Sequence, residues 1–244
     1  MKTEIITAVY NEEYLLPYFI NNHKWVDKIT FLYDVDSTDN SKKIINDSYF
    51  DKNHLFDVNV VQFKQNGLND FIMTDAINQQ IRKSKADYII CLDADEFIIG
   101  DVISEINKYQ LDYYNVSLFQ MIKHDEENDW LHFNSSIENQ RKYGYIESDY
   151  IKPCIFKNHK GYSVYYGKHF LMKHDKIQPK LSSHNLFKGM HLNLLNKEFA
   201  LERYKNRCNR ISDENRKANM GIQYFQYNES VVLNKFSKNV IKVF

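Results

Sequence analysis

Residues 88–92 (Tyr-Ile-Ile-Cys-Leu) form an unbroken apolar run that stops at Asp93-Ala94-Asp95-Glu96, and no other segment restricts the fold of this chain as tightly. A short apolar run without polar alternation marks a strand buried on both faces, as in the middle of a parallel sheet. Ligands of open α/β sheets gather outside the carboxyl ends of the strands, so the three acids are delivered to a ligand edge. Carboxylates crowded there are costly without a positive partner, and a hard divalent cation is the usual one. Such a cation completes its shell with water and phosphate oxygens, which implies a phosphorylated substrate.

The stretch before this run alternates between two periodicities. Ile5 to Val9, Ile29 to Tyr33 and Val58 to Phe63 read as strands. Leu15, Leu16, Phe19 and Ile20 share one helix face, and Ile44 with Ile45 marks a second helix capped by Ser37 or Thr38. Met73, Ala76, Ile77 and Ile81 define a third helix over 69–84, with Asp70 in its first turn. This alternation predicts an α/β fold with a mainly parallel central sheet and helices on both faces. After Gly100 come a helix (Val102 to Tyr109) and a strand (Val116 to Met121). The chain is then irregular and aromatic-rich to about residue 170, and 196–217 reads as one charged helix with a solvated face.

Composition narrows the function classes. The 32 basic and 32 acidic residues leave no net charge, which gives no support for nucleic-acid binding through phosphate neutralisation. No run approaches the roughly 20 apolar residues of a membrane span, and Met1-Lys2-Thr3-Glu4 lacks a signal-peptide core. Cys91, Cys154 and Cys208 are odd in number and form no C-x-x-C pair, so a reduced, cytoplasmic protein is expected.

Three strand ends carry polar clusters: Tyr10 to Glu13, Asp34 to Asp39, and Asp93 to Glu96. A parallel sheet brings them to one edge. Rival readings fail on particular residues. A P-loop ATPase needs G-x-x-x-x-G-K-[ST], and a dinucleotide fold needs G-x-G-x-x-G; neither string occurs. An EF-hand beginning at Asp34 would have Asp39 where Gly is required and Ile45 where Glu is required.

Taken in order and spacing, Thr7-Ala8-Val9-Tyr10-Asn11-Glu12-Glu13, then Asp34-Val35-Asp36-Ser37-Thr38-Asp39-Asn40-Ser41, then Leu92-Asp93-Ala94-Asp95-Glu96-Phe97 resemble family 2 glycosyltransferases of GT-A fold. That fold is a Rossmann-like nucleotide-diphospho-sugar transferase architecture. The nearest subgroup has the D-x-D-E-F form, as in bacterial surface-polysaccharide and lipooligosaccharide synthesis. The likeness covers residues 3–99 and continues more faintly through Lys152-Pro153, Gly167-Lys168-His169 and Gly189-Met190-His191 to a helix near Asn196.

The resemblance implies a sugar transferase with a nucleotide-sugar donor, UDP-sugar favoured, and a glycan or lipid-linked acceptor. Residues 1–100 would be the nucleotide-sugar half, 101–195 the acceptor half, and 196–244 a C-terminal helical segment. Ala8, Asn11 and Glu13 would border the nucleoside and Asp34 the base. Asp93 would hold the ribose or a metal-bound water. Asp95 would ligate Mn²⁺ or Mg²⁺ on the diphosphate, with His191 completing the metal or diphosphate site. Peripheral contact at the inner face of a membrane stays open, through the cations of the 196–217 helix.

The chain departs from the family pattern in two places. Asp34-Val35-Asp36 stands where many relatives have Asp-Asp-Gly, and the second half lacks the Glu-Asp pair that supplies the base in inverting relatives. An inverting transfer needs a base within hydrogen-bond reach of the acceptor hydroxyl. Glu147 and Asp149 are candidates, as is His169, either as base or as a donor to phosphate. The Asp125, Glu126, Glu127 and Asp129 cluster reads as a solvated loop. Without a placed base, a non-catalytic nucleotide-sugar-binding subunit remains an alternative. A metal-dependent phosphohydrolase or nucleotidyltransferase is another.

Overall fold

The computed structural model describes residues 1–50, 56–178 and 187–244. Its first part follows the two sequence periodicities: β1 (Thr3–Val9), α1 (Leu16–Asn22), β2 (Lys28–Asp34), α2 (Ser41–Phe50), β3 (Asp57–Phe63), α3 (Asp70–Lys83) and β4 (Tyr88–Cys91). The four strands pair in parallel in the order β3-β2-β1-β4. Side chains alternate between two cores. Ile5 packs with the apolar face of α1 (Leu16, Phe19, Ile20), and its neighbour Ile6 packs with that of α3 (Met73, Ile77, Ile81). Helices therefore cover both faces, as the α/β pattern requires.

The first four strands are the parallel part that the sequence pattern predicts, and beyond β4 the sheet becomes mixed. After β5 (Glu96–Ile99) and α4 (Val102–Tyr109), β6 (Tyr113–Met121) runs into α5 (Ile137–Gln140), β7 (Tyr143–Tyr145) and β8 (Ile151–Lys157). Strand β8 is inserted antiparallel between β4 and β6. The segment read as irregular thus holds a central strand. Its sequence, Ile-Lys-Pro-Cys-Ile-Phe-Lys, hides it: Pro153 removes a ladder donor and Lys152 breaks the apolar run.

Short strands β9 (Tyr162–Val164), β10 (Leu171–Lys173) and β11 (Lys176–Ile177) form a separate small sheet. Strand β12 (Phe187–His191) returns to the main sheet, parallel to β6 and antiparallel to β5. Its middle residue must be glycine, since a Cβ on Gly189 would lie 2.6 Å from both Leu118 Cδ2 and the Phe97 carbonyl oxygen.

The C-terminal part comprises α6 (Lys197–Arg210), α7 (Asp213–Lys217), α8 (Glu229–Asn234) and β13 (Ile241–Lys242), which pairs with β7. The single helix expected over 196–217 is therefore two. Ile211 leaves helical geometry, and the Ser212 side chain caps α7 by accepting from the Asn215 N–H. The cap expected at Ser37 or Thr38 also lies elsewhere, because α2 starts at Ser41 and the Ser41 N–H donates to Asp39 Oδ1. No helix among the described residues is long and apolar enough to cross a membrane.

Candidate active site

Register, not sequence proximity, assembles the polar centre. Pairing of Tyr88 with Lys157 and of Ile90 with Ile155 continues past the end of β4 to bring Lys152 level with Asp93. Pairing of Met190 with Phe97 puts His191 opposite Glu96. Helix α6 then crosses this edge and turns Arg203, Arg207 and Arg210 onto it, at the i, i+4, i+7 spacing of one helix face. The result is a cleft walled by Ala8 to Glu12 on one side, Phe63, Gln65, Leu68 and Met73 on another, and Asp93 with the three arginines on a third.

The two aspartates of the acidic motif meet different cations. Asp93, about a third exposed, contacts the Lys168 ammonium and lies 3.9 Å from that of Lys152. Burial works against its charge, but the two ammonium groups outweigh that and hold its carboxyl at about 2. Asp95 is buried behind it. Its Oδ2 receives Arg203 Nη2 at 2.7 Å and faces Arg207 Nη2 and His191 Nε2, both at 3.4 Å. Here too burial is overcome, by His191 and the two guanidinium groups, and the carboxyl is held well below the usual carboxylate range.

The remaining charges are matched one by one. Arg203 forks onto Glu12 (2.6 and 2.8 Å), and Lys152 pairs with the buried Glu96, whose other oxygen accepts from the Asp93 N–H. Arg210 lies over the Tyr10 ring and reaches Asp34 Oδ2 at 3.0 Å. The Gln120 amide nitrogen lies 2.7 Å from His191 Nδ1, and His191 Nε2 faces Asp95.

The expected site residues divide accordingly. Ala8, Asn11 and Asp93 line the cleft. Asn11 sits at φ +50°, a left-handed conformation that Asn tolerates, and its side chain accepts from the Thr38 N–H. Glu13, expected at the nucleoside, instead binds the N–H and amide of Asn40, which ties the β1–α1 turn to the β2–α2 loop. Asp34 is fully buried and meets the cleft only through Arg210.

Among the base candidates, the Asp149 side chain is exposed and that of Glu147 half-buried. Asp149 enters through its carbonyl, 2.7 Å from His169 Nδ1. Because a carbonyl only accepts, Nδ1 carries the proton and Nε2 keeps a lone pair. Burial, then the charge of Lys152, lowers the His169 pKa, so the ring is neutral at neutral pH. The preceding residue is Lys168, the partner of Asp93.

Asp93, Asp95 and His191 do not fit a divalent cation as they are placed. Asp93 is turned to two lysines and Asp95 to two arginines, and no group of three or more His, Cys, Asp or Glu among the described residues is arranged to hold a metal. The residues that sequence reasoning missed are the arginines of α6. Their i, i+4, i+7 spacing was a signal, but a row of cations interleaved with acids ordinarily faces solvent.

A family model described as glycosyl transferase family 2 matches residues 4–177. No curated protein matches the chain. Among solved structures, residues 1–349 of S. aureus TarS share 13% identity over 92% of this chain and 71% of that one, with a TM-score of 0.47. The same fragment in complex with UDP-GlcNAc gives 13% identity over 97% and 72%, TM-score 0.45. The mannosyltransferase PcManGT from Pyrobaculum calidifontis, in complex with GDP-Man and Mn²⁺, gives 17% over 49% and 35%, TM-score 0.39. Likenesses this distant say nothing about the chemistry of the present site.

Proposed function

The chain belongs to glycosyl transferase family 2, and from that membership we propose that it transfers a sugar, with inversion, from a nucleoside-diphosphate donor to a glycan or lipid-linked acceptor in surface-polysaccharide or lipooligosaccharide synthesis. The observation that carries the reading is the cleft at the carboxyl ends of β1 and β4, lined by Asp93 and three arginines. The apolar wall of Phe63, Leu68 and Met73 suits a base, with Ala8 and Asn11 bordering the nucleoside and the arginines meeting the diphosphate. UDP is the favoured nucleotide. Residues 1–100 with α6 form the donor side and 101–195 the acceptor side.

His169 is the base in this proposal, ahead of Glu147 and Asp149. Its neutral ring, aimed by the Asp149 carbonyl, leaves Nε2 to take the acceptor proton. The acceptor oxygen attacks the anomeric carbon, and the bond from that carbon to the diphosphate breaks with its electron pair on the leaving nucleoside diphosphate. Neighbouring cations stabilise the charge growing there. Trp130, two-fifths exposed and edge-on to Tyr14 at 5.0 Å, offers a ring face for an acceptor sugar.

The test is to incubate the chain with UDP-, GDP- and CDP-sugars and a panel of saccharide and lipid-linked acceptors while following nucleoside diphosphate release. One donor class should be consumed. Release of inorganic phosphate or pyrophosphate in its place would mark a hydrolase or nucleotidyltransferase, and silence across every donor would sink the reading.

A further inference from the structure

The acidic motif and the arginine row interlock in a way that the family match does not assign, since Arg203, Arg207 and Arg210 lie beyond the matched residues 4–177. A divalent cation ligated by Asp95, with Asp93 on a metal-bound water, needs carboxylate oxygens that are free to turn to it. Here Asp93 is engaged by Lys168 and Lys152, and Asp95 by Arg203 and Arg207. A metal placed between them would sit among fixed positive charges. It would also strip buried cations of their counter-ions, a change that low-dielectric surroundings oppose strongly.

The cations themselves suit a diphosphate. Arg207 is a quarter exposed and lines the cleft, with Nη1 steadied by Asn193 Oδ1 and the Tyr224 hydroxyl, both at 2.8 Å. Among the described residues the hydrogen bonds of Arg210 use only Nη2, which leaves its Nε and Nη1 donors for an anion. Guanidinium groups offer paired N–H donors that match phosphate oxygens.

Resting on the donor reading above, we infer that the donor diphosphate is received by Arg207 and Arg210. Asp95 holds Arg207 and Asp34 holds Arg210, Asp93 stays paired with Lys168 and Lys152, and donor binding requires no divalent metal. Arg203, forked between Glu12 and Asp95, is the positioning residue that keeps α6 over the cleft.

The experiment is calorimetric titration of the full chain with UDP, GDP and CDP, in chelator and again in Mn²⁺ or Mg²⁺. For the nucleotide that binds most tightly, affinities differing by less than about fivefold support the inference. Tightening by about fivefold or more with metal overturns it, yet leaves the donor reading standing. Absence of binding by all three nucleotides under both conditions overturns both. Because Arg207 also braces Asn193 and Tyr224, two variants are used, Arg207→Gln and Arg210→Gln, each accepted only if its melting transition stays cooperative. Either should weaken nucleotide binding in chelator by about tenfold, the loss typical of one charged hydrogen bond. Unchanged affinity in a folded variant overturns the assignment.

Discussion

His169 and His23 show how differently a histidine behaves according to what its second nitrogen meets. At His169, Nδ1 donates to a carbonyl and Nε2 is left unprotonated. If it is the base, His169→Gln should lower kcat by about 10²–10⁴-fold with little change in nucleotide affinity. Because its pKa lies below the ordinary 6.5, the wild-type rate should persist as pH falls past 6.5 and decline only at the lowered value. A profile falling with a midpoint at or above 6.5 would count against His169. His23 is wholly buried, with Nδ1 2.9 Å from the Phe19 carbonyl and Nε2 accepting from the Ile98 N–H. Protonating Nε2 would set two donors against each other, and burial pushes the pKa down to about 4. Between pH 6.5 and 4 the unfolded chain therefore binds a proton that the folded one refuses. Stability should fall as pH drops through that window, by about 3 kcal/mol in total. Urea denaturation at stepped pH would measure the loss, and His23→Gln should flatten the curve over this range.

At the scale of elements, the junction after β3 shows why α6 stays over the cleft. Gly67 has φ +90°, and a Cβ there would collide with the Arg210 carbonyl oxygen. The neighbouring Leu68 donates its N–H to that carbonyl at 2.6 Å and accepts from the Ser212 N–H. Gly67→Ala should therefore lift the end of α6, lowering stability by about 1–3 kcal/mol and weakening nucleotide binding through Arg210. Thermal melts paired with nucleotide titration would check both effects, and an unperturbed variant would show that the junction does not position the helix. Elements β1 to β4 were legible because each carries its own period and its neighbours are local. Strand β8 was not, because the reason for a buried Lys152 is Glu96, far away in sequence and adjacent only after the sheet forms. The α6 arginines were hidden for the same reason. Their partners Glu12, Asp34 and Asp95 lie more than 100 residues earlier, and a helix sequence cannot announce which of its cations will be buried. What the motifs disclosed was the location of the site; what they did not disclose was the sign of the charges that fill it.

Across the whole molecule, the centre behaves as one balanced unit. Glu12, Asp93, Asp95 and Glu96 are offset by Lys152, Lys168, Arg203 and Arg207, drawn from the ends of β1 and β4, the start of β5, strand β8, the turn before β10, and α6. The protein thus closes its sheet edge with ion pairs that span most of its length. Removing one member should be costly, because its partner stays buried and charged. Lys152→Met strands Glu96, which is 1% exposed, and should cost about 3–5 kcal/mol in denaturant unfolding. Adding Glu96→Gln removes the stranded charge while keeping an acceptor for the Asp93 N–H, so the double variant should recover much of that loss. If the two changes add independently, Lys152 and Glu96 do not act as a pair and the balanced-unit view fails. Acid probes the same balance. Asp93 and Asp95 have folded pKa values below their unfolded ones, so their contribution is intact above about pH 4 and is lost in more acid solution, that of Asp93 as pH falls towards 2. Hydrogen exchange followed from pH 4 towards 2 should show that loss at the sheet edge, with β12 and α6, whose His191, Arg203 and Arg207 face Asp95, losing protection over this window.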